Sequence, residues 1–446
     1  MKIHVIYFAL FCNTLFAQDG SVDVNFNSTL NLNNSVYAIK EQEDGKILIG
    51  GSFNSSLFRL NNDGSTDSSF NALSESVFCI GIQNDNKIIV GSNFIKRLNS
   101  DGSIDNSFNC IIDNGISNLK ILDDGKIIIC GYFSNVNGTT RYGIAKLNSN
   151  GSLDPSFNLN LPPGTGLRDF EVQNDGKIII SGEQSISVSP YINLIFRRYN
   201  TNNTIDSTFN VGGSNADSNI ADIEIQSDNK IMICGWFNSF NGQNRAGLAR
   251  LNSNGTLDST FNSYNFTSYS IFKVKALNDG KYILTGSFNF YDGQSSNKIA
   301  KLNNDGTIDN GFTIGTAANN SIWAAEIQND GKIIIGGDFT LFNTISKNRI
   351  ARLGNTILST NANPYENPEI IVYPNPAQDI IFIENSHSSL LLTSLKLSNS
   401  IGQELKSYKS TEILNNSINL KEFPNGIYYL QITTNGKIIT KKIIKK

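Results

Sequence analysis

Gln328-Asn329-Asp330-Gly331-Lys332-Ile333-Ile334-Ile335-Gly336-Gly337-Asp338-Phe339 is the stretch on which the reading of this chain turns. Glycine at the second turn position tolerates the positive φ of a tight hairpin. The apolar run after the lysine reads as a strand buried on both faces. The phrase recurs at Asp44-Gly45-Lys46, Asp85-Asn86-Lys87, Asp124-Gly125-Lys126, Asp175-Gly176-Lys177, Asp228-Asn229-Lys230 and Asp279-Gly280-Lys281. The second residue is always Gly or Asn, the types that accept that backbone. Ahead of each turn lies another short strand, such as Val36-Tyr37-Ala38-Ile39 or Ile220-Ala221-Asp222-Ile223.

A second phrase recurs out of phase, as in Leu60-Asn61-Asn62-Asp63-Gly64-Ser65-Thr66-Asp67 followed by Phe70. Its relatives run from Leu98, Leu147, Tyr199, Leu251 and Leu302. Two more strands join at this turn, which predicts about four strands per unit. Units of roughly 40 to 50 residues with four strands each point to a β-propeller. The chain ends complement one another. Asp19-Gly20-Ser21-Val22-Asp23 to Phe26 lacks a preceding Arg-Leu strand, and Arg349-Ile350-Ala351-Arg352-Leu353 lacks a following turn phrase. Pairing them closes a ring of seven blades and removes the open edges. An open solenoid would need capping repeats. The expected fold is all-β: a seven-bladed propeller over 18–358.

The turn phrase at Asp63–Phe70, the hairpin at Gln328–Phe339 and the Arg349–Leu353 strand resemble the delta-60 repeat of bacterial secreted propeller proteins. The resemblance covers roughly residues 19 to 353. Blades one and two depart from it by losing the loop before the Arg-Leu strand. The resemblance implies no shared catalytic residue.

Both ends of the chain read as addresses. Residues 1–17 hold Lys2, an apolar run from Ile3 to Phe11 and a small residue at Ala17, the pattern of a secretory signal peptide. Phe11 before Cys12 argues against lipid attachment. No other run is long or apolar enough for a transmembrane span. Residues 359–368 form a polar, Pro-containing linker, and 369–446 read as a small β-sandwich. Tyr373, Pro374, Asn375 and Pro376, the Ile401-Gly402-Gln403-Glu404-Leu405 turn, Gly426 and Tyr428, and the basic end with Lys441, Lys442, Lys445 and Lys446 resemble the type A sorting domain of the type IX (Por) secretion system. That resemblance implies the type IX secretion machinery as partner and a secreted or cell-surface destination.

The chemistry is bounded by what the chain lacks. With 36 basic against 39 acidic residues, an electrostatically driven nucleic-acid binder is excluded. The only histidines are His4 and His387, so the propeller has no Ser-His-Asp, Cys-His or His-zinc site. The turn aspartates (Asp23, Asp67, Asp105, Asp154, Asp206, Asp258, Asp309) suggest calcium. Counted from Arg59, the twelfth position is Phe70, where an EF-hand needs a bidentate Glu, so no metal and no cofactor is expected. These aspartates are expected to fix turns and to brace the basic residue before each Leu within its blade, a pair worth little if exposed. Cys130 and Cys234 share a register held elsewhere by Gly50, Gly91, Ser181, Thr285 and Gly336, so they read as free buried thiols rather than a disulfide.

A site hides where the repeat varies. One register before each hairpin reads Lys40, Gly81, Lys120, Glu171, Glu224, Lys275 and Glu326; if that strand is innermost, these residues line the channel or its mouth. Aromatics after the Gly-x-Phe step, including Trp236 and Tyr291, stack on sugars, anchor a partner or fill gaps between blades. The expected function is non-enzymatic binding or adhesion to extracellular glycan or protein. The alternatives are a polysaccharide hydrolase or lyase using channel carboxylates (Asp169, Glu171, Asp222, Glu224) and a passive surface or matrix component.

Overall fold

The computed structural model describes residues 20–354, except 29, 54, 72, 187–191, 263–269 and 292, and residues 370–446, except 386–391, 400–402, 410–415 and 435–436. The proposed signal peptide, the linker at 359–368 and Gly402 lie outside the described residues. The chain divides into two units, Met1–Leu358 and Ser359–Lys446.

In the first unit, seven antiparallel three-stranded sheets follow one another along the chain. Their inner strands are Val36–Glu41, Cys79–Ile82, Ile116–Ile121, Thr165–Val172, Ile220–Ile225, Ile271–Ala276 and Ile322–Ile327. The apolar runs after each hairpin form the middle strands, and Ile47–Gly51, Ile127–Gly131, Ile231–Gly235 and Ile333–Gly337 are buried at every position. A sheet covered on both faces by neighbouring sheets demands that pattern. The hairpin turns take the backbone their residues allow, with φ +79° at Gly45 and +63° at Asn86.

The ring closes as the sequence predicts. Val22 forms an antiparallel bridge with Leu353, and the Asp23 N–H donates to the Arg352 carbonyl at 2.8 Å. The fourth strand, however, is shorter than expected. It is reduced to a single bridge per blade, as Leu60 with Thr66 or Leu98 with Ile104. The reason is local: Asp67 Oδ1 accepts from the Ser69 N–H at 3.0 Å and from its hydroxyl at 2.6 Å, which turns the chain away after one pair. Between middle and third strands, four blades carry a small extra hairpin, such as Asn135–Val136 with Thr139–Thr140. Blades one and two omit it, and blade four extends both strands instead, to Ile178–Ser185 and Ile192–Tyr199.

The turn aspartates do more than the sequence suggests. Arg59 Nε donates to Asp67 Oδ2 at 2.7 Å, Lys46 Nζ reaches the same oxygen at 2.9 Å, and the guanidinium lies 4.6 Å from the Phe70 ring centre. Another Arg59 nitrogen donates to the Ser100 carbonyl in the next blade's turn. The expectation of a weak, within-blade brace is therefore corrected: these pairs are buried and tie blade to blade. Arg97, Arg198 and Arg250 repeat the arrangement, reaching Ser149, Ser253 and Asn304. Arg352 completes it across the closure, with Asp23, Phe26 and the Asn62 carbonyl.

The slot shared by Cys130 and Cys234 faces the neighbouring blade. A Cβ on Gly336 would lie 2.4 Å from Val36 Cγ1, which is why only small side chains fit. Cys79, Cys110, Cys130 and Cys234 are all free thiols.

The second unit packs a three-stranded sheet (Ile370–Tyr373, Ile380–Asn385, Ser417–Asn419) with a four-stranded sheet ordered Glu404–Lys409, Leu392–Asn399, Gly426–Thr434, Lys437–Lys445. Leu395, Leu397, Leu430, Ile432 and Ile443 from the larger sheet meet Ile381, Ile383 and Ile418 from the smaller in one core. The Tyr373–Pro376 segment docks on the last strand. Asn375 Oδ1 accepts from the Ile444 N–H at 2.9 Å, and Ala377 pairs with Lys445. Tyr428 donates its hydroxyl to the Pro424 carbonyl at 2.6 Å, and Lys445 Nζ donates to the Phe423 carbonyl at 2.6 Å. Gly426 opens the strand paired with Lys445 at its foot, while Lys441 lies opposite Leu430 and Lys442 opposite Tyr429. Lys446 donates its N–H to the Ala377 carbonyl.

Candidate binding site in the central channel

Seven inner strands surround a cavity of about 980 Å3, to which every blade contributes. In six of these strands the pairing register slips by one residue, leaving Tyr37, Ser117, Arg168, Ala221, Phe272 and Trp323 without a partner across the ladder. A bulge re-aims the side chain it carries. All six line the channel, and Phe78 holds the same position in blade two. Two consecutive residues of each strand thus face inward, and a third follows two positions later.

The three resulting rings differ in character. At one mouth, aromatic rings form a continuous arc. Phe78 meets Tyr37 edge-on at 5.3 Å, Tyr37 meets Trp323 at 6.0 Å, Trp323 stacks on Phe272 at 4.0 Å and 5°, and Phe272 meets Trp236 at 6.2 Å. The Arg168 guanidinium lies 5.3 Å from the Trp236 ring and its charge is met by Glu183 at 3.2 Å. Trp323 Nε1 donates to Asp338 Oδ2 at 2.8 Å, which fixes the indole plane. Phe78 and Tyr132 are each 40% exposed at this mouth.

One step inward lie Ala38, Cys79, Asn118, Asp169, Asp222, Lys273 and Ala324. Asp222 Oδ1 takes the Lys273 ammonium at 2.6 Å, and its Oδ2 accepts the Val274 N–H of the next blade at 2.9 Å. Asp169 Oδ2 accepts the Ile223 N–H at 2.7 Å, and its other oxygen accepts from the Asn118 amide. Burial holds the Asp169 carboxyl well above the ordinary carboxylate range; the Asp222 charge adds to this and Lys273 opposes it. Burial works against the Lys273 charge, but Asp222 and Asp169 outweigh it and raise the ammonium pKa.

The third ring is the register singled out by sequence. Lys40 pairs with Glu326 at 2.7 Å, Lys120 with Glu171, and Lys275 with Glu224 at 3.2 Å. Each pair crosses between neighbouring blades, so the ring is a neutral girdle interrupted at Gly81. A Cβ there would lie 2.5 Å from Leu119 Cδ1. Lys275 is raised first by the Glu224 charge, whereas burial raises Glu171 against the pull of Lys120.

The structure thus brings Lys40, Lys120, Glu171, Lys275, Glu326 and Trp236 to the channel wall, with Glu224 joined to it through Lys275. Tyr291 does not belong there. It is fully buried and donates its hydroxyl to the Gly306 carbonyl at 2.6 Å, a gap-filling role that its small hairpin imposes. Phe237 and Phe240 are likewise core. Sequence reasoning missed Tyr37, Phe78, Phe272 and Trp323. The signal was available, because these positions share one register and change type from blade to blade.

A ring of seven blades around an aromatic-mouthed channel defines a β-propeller, followed in sequence by a small sandwich. The repeats match the model described as a domain of unknown function (DUF5122) beta-propeller over residues 42–70, 83–108, 122–157, 173–209, 226–261, 277–312 and 328–355, and the chain belongs to that family. Residues 371–446 match the secretion system C-terminal sorting domain, which directs export by type IX secretion to the cell surface or the extracellular space. Among the described residues no helix is long and apolar enough to cross a membrane. Comparison with curated proteins gives no match. Among solved structures, the chain is similar to the extracellular domain of the putative one-component system BT4673 from B. thetaiotaomicron (12% identity, TM-score 0.49, covering 96% of this chain and 58% of that one). It is also similar to a streptogramin B lyase (16%, 0.48, 74% and 96%) and to virginiamycin B lyase from Staphylococcus aureus (15%, 0.47, 73% and 97%). The chain spans about 58% of the length of the first of these.

Proposed function

We propose that this exported propeller is a non-enzymatic binding protein that takes an extracellular glycan at the aromatic mouth of its channel. The observation that carries the reading is the arc from Phe78 through Tyr37, Trp323 and Phe272 to Trp236. Apolar ring faces beside hydrogen-bonding groups such as Asn118 and Asn93 suit a ligand with flat C–H faces and many hydroxyls. The test is calorimetric titration of an oligosaccharide panel against wild type and Trp323→Ala. Binding that falls at least tenfold in the variant supports the reading. Unchanged binding, or none across the panel, sinks it.

A carboxylate enzyme acting on polysaccharide is the rival, favoured by Asp169 and Asp222 on adjacent blades inside the cavity. Glu171 and Glu224 are less suited, since each is committed to a lysine and accepts a backbone N–H. Product release from the same panel, abolished by Asp169→Asn or by Glu171→Gln with Glu224→Gln, would favour the rival; binding without turnover favours the module.

A further inference from the structure

Counted with the partners of its basic residues, the channel wall has one more acidic group than basic. Among the described residues of the wall, Lys40, Lys120, Lys275, Arg168 and Lys273 each have an acidic partner: Glu326, Glu171, Glu224, Glu183 and Asp222. Asp169 is the sixth acid. Its carboxylate is met by neutral donors only, the Asn118 amide and the Ile223 N–H. It is 1% exposed and yet lines the cavity. The charged groups that act on it are Asp222, Lys273 and Glu171, and Lys273 is already engaged by Asp222.

The position of this surplus acid matters. Around its ring, Lys273 lies beyond Asp222 on one side, while Asn118, Cys79, Ala38 and Ala324 make the other side neutral. The aromatic arc lies one residue nearer the mouth, with Phe78, Tyr37 and Trp323 on the blades of Cys79, Ala38 and Ala324, and Phe272 on that of Lys273. An entering group meets aromatic rings, whose quadrupoles attract cations, and a buried carboxyl that no basic residue pairs.

We infer that the channel is a receptor for a cationic group, a primary ammonium such as an aminated sugar carries or a quaternary one, seated against Asp169 on the wall facing the aromatic arc. This rests on the glycan reading and narrows its ligand to the aminated class. Arg168 does not oppose the cation, since Glu183 balances that charge at the rim.

The experiment is titration calorimetry on the full chain at neutral pH. The probes are a glucosamine oligomer, the N-acetylated oligomer of equal length and tetramethylammonium. The glucosamine oligomer should bind at least tenfold more tightly than its N-acetylated partner, and Asp169→Asn should remove that preference. Equal binding of the two oligomers by wild type overturns the cation site and leaves the glycan reading standing; this comparison needs no variant to fold. Tetramethylammonium bound with no saccharide bound upholds the cation site and sinks the glycan reading. No binding of any probe sinks both.

Discussion

Arg352 and Asp23 stand 329 residues apart in sequence and 2.9 Å apart in space, Nε to Oδ2, at the seam where the last blade takes its outermost strand from the beginning of the repeat array. The pair is buried and sits over Phe26, as each inner-blade pair sits over its own phenylalanine. Removing one partner of a buried pair leaves an uncompensated charge at a cost of roughly 3–5 kcal/mol. Asp23→Ala should therefore lower stability about as much as Asp67→Ala, measured by urea unfolding. A neutral result at the seam alone would mean that the closure bears no load.

The same carboxylates set the acid limit. The ammonium of Lys126, then the hydroxyl of Ser156, holds Asp154 down to about 2, and Lys87, then Ser107, holds Asp105 below its usual range. A folded pKa below the unfolded value means stability fully present above about pH 4 and lost as pH falls toward 2. Urea midpoints measured from pH 7 down to 2 should be flat above about pH 4 and drop below it. Lys126→Met should lower the plateau above about pH 4 and make the drop below it smaller.

Lys273→Met removes the cation that pairs with Asp222 and acts on Asp169, and should cost roughly 3–5 kcal/mol at neutral pH. The loss should shrink as pH is lowered, because the raised pKa of Asp169 favours the folded state once its proton is bound. Adding Asp222→Leu should restore much of the stability. Thermal unfolding at pH 5 and pH 8 reads both effects.

At the slot facing the next blade, Gly336→Ala forces a methyl against Val36 Cγ1, and overpacking of this kind costs about 1–3 kcal/mol. Val36→Ala in the same chain should recover part of that cost. Double-mutant analysis by denaturation detects the coupling, and simple additivity would count against the contact.

Burial pushes the Cys79 and Cys110 thiols up to about 12. Little thiolate forms at pH 8, so a disulfide-exchange reagent should label Cys79, Cys110, Cys130 and Cys234 slowly in the native protein and rapidly in denaturant. Fast labelling of native protein would contradict this.

Much of the ring was legible because repetition amplifies weak signals. Asp330-Gly331-Lys332 alone is an ordinary turn, but seven copies with complementary ends leave little room for another architecture. The single-bridge outer strand was not legible, because whether a chain continues beyond Thr66 depends on how Asp67 spends its oxygens. The charged girdle was found by comparing blades at one register, whereas the aromatic mouth was missed. A bulge turns two adjacent residues to the same side, so strict alternation assigns Tyr37 or Trp323 to the sheet interior. Tyr291 misled for the opposite reason: a loop aromatic reads as exposed until its small hairpin folds over the blade.

The bridge between Val22 and Leu353 also fixes an order of events. During synthesis, the segment that completes the final blade emerges first and waits for a partner made more than three hundred residues later. Contacts so distant along the chain are slow to form. The finished circle is therefore a product of the whole polypeptide, assembled late, and a chain that crosses a membrane before its last blade appears does so with its clasp still open.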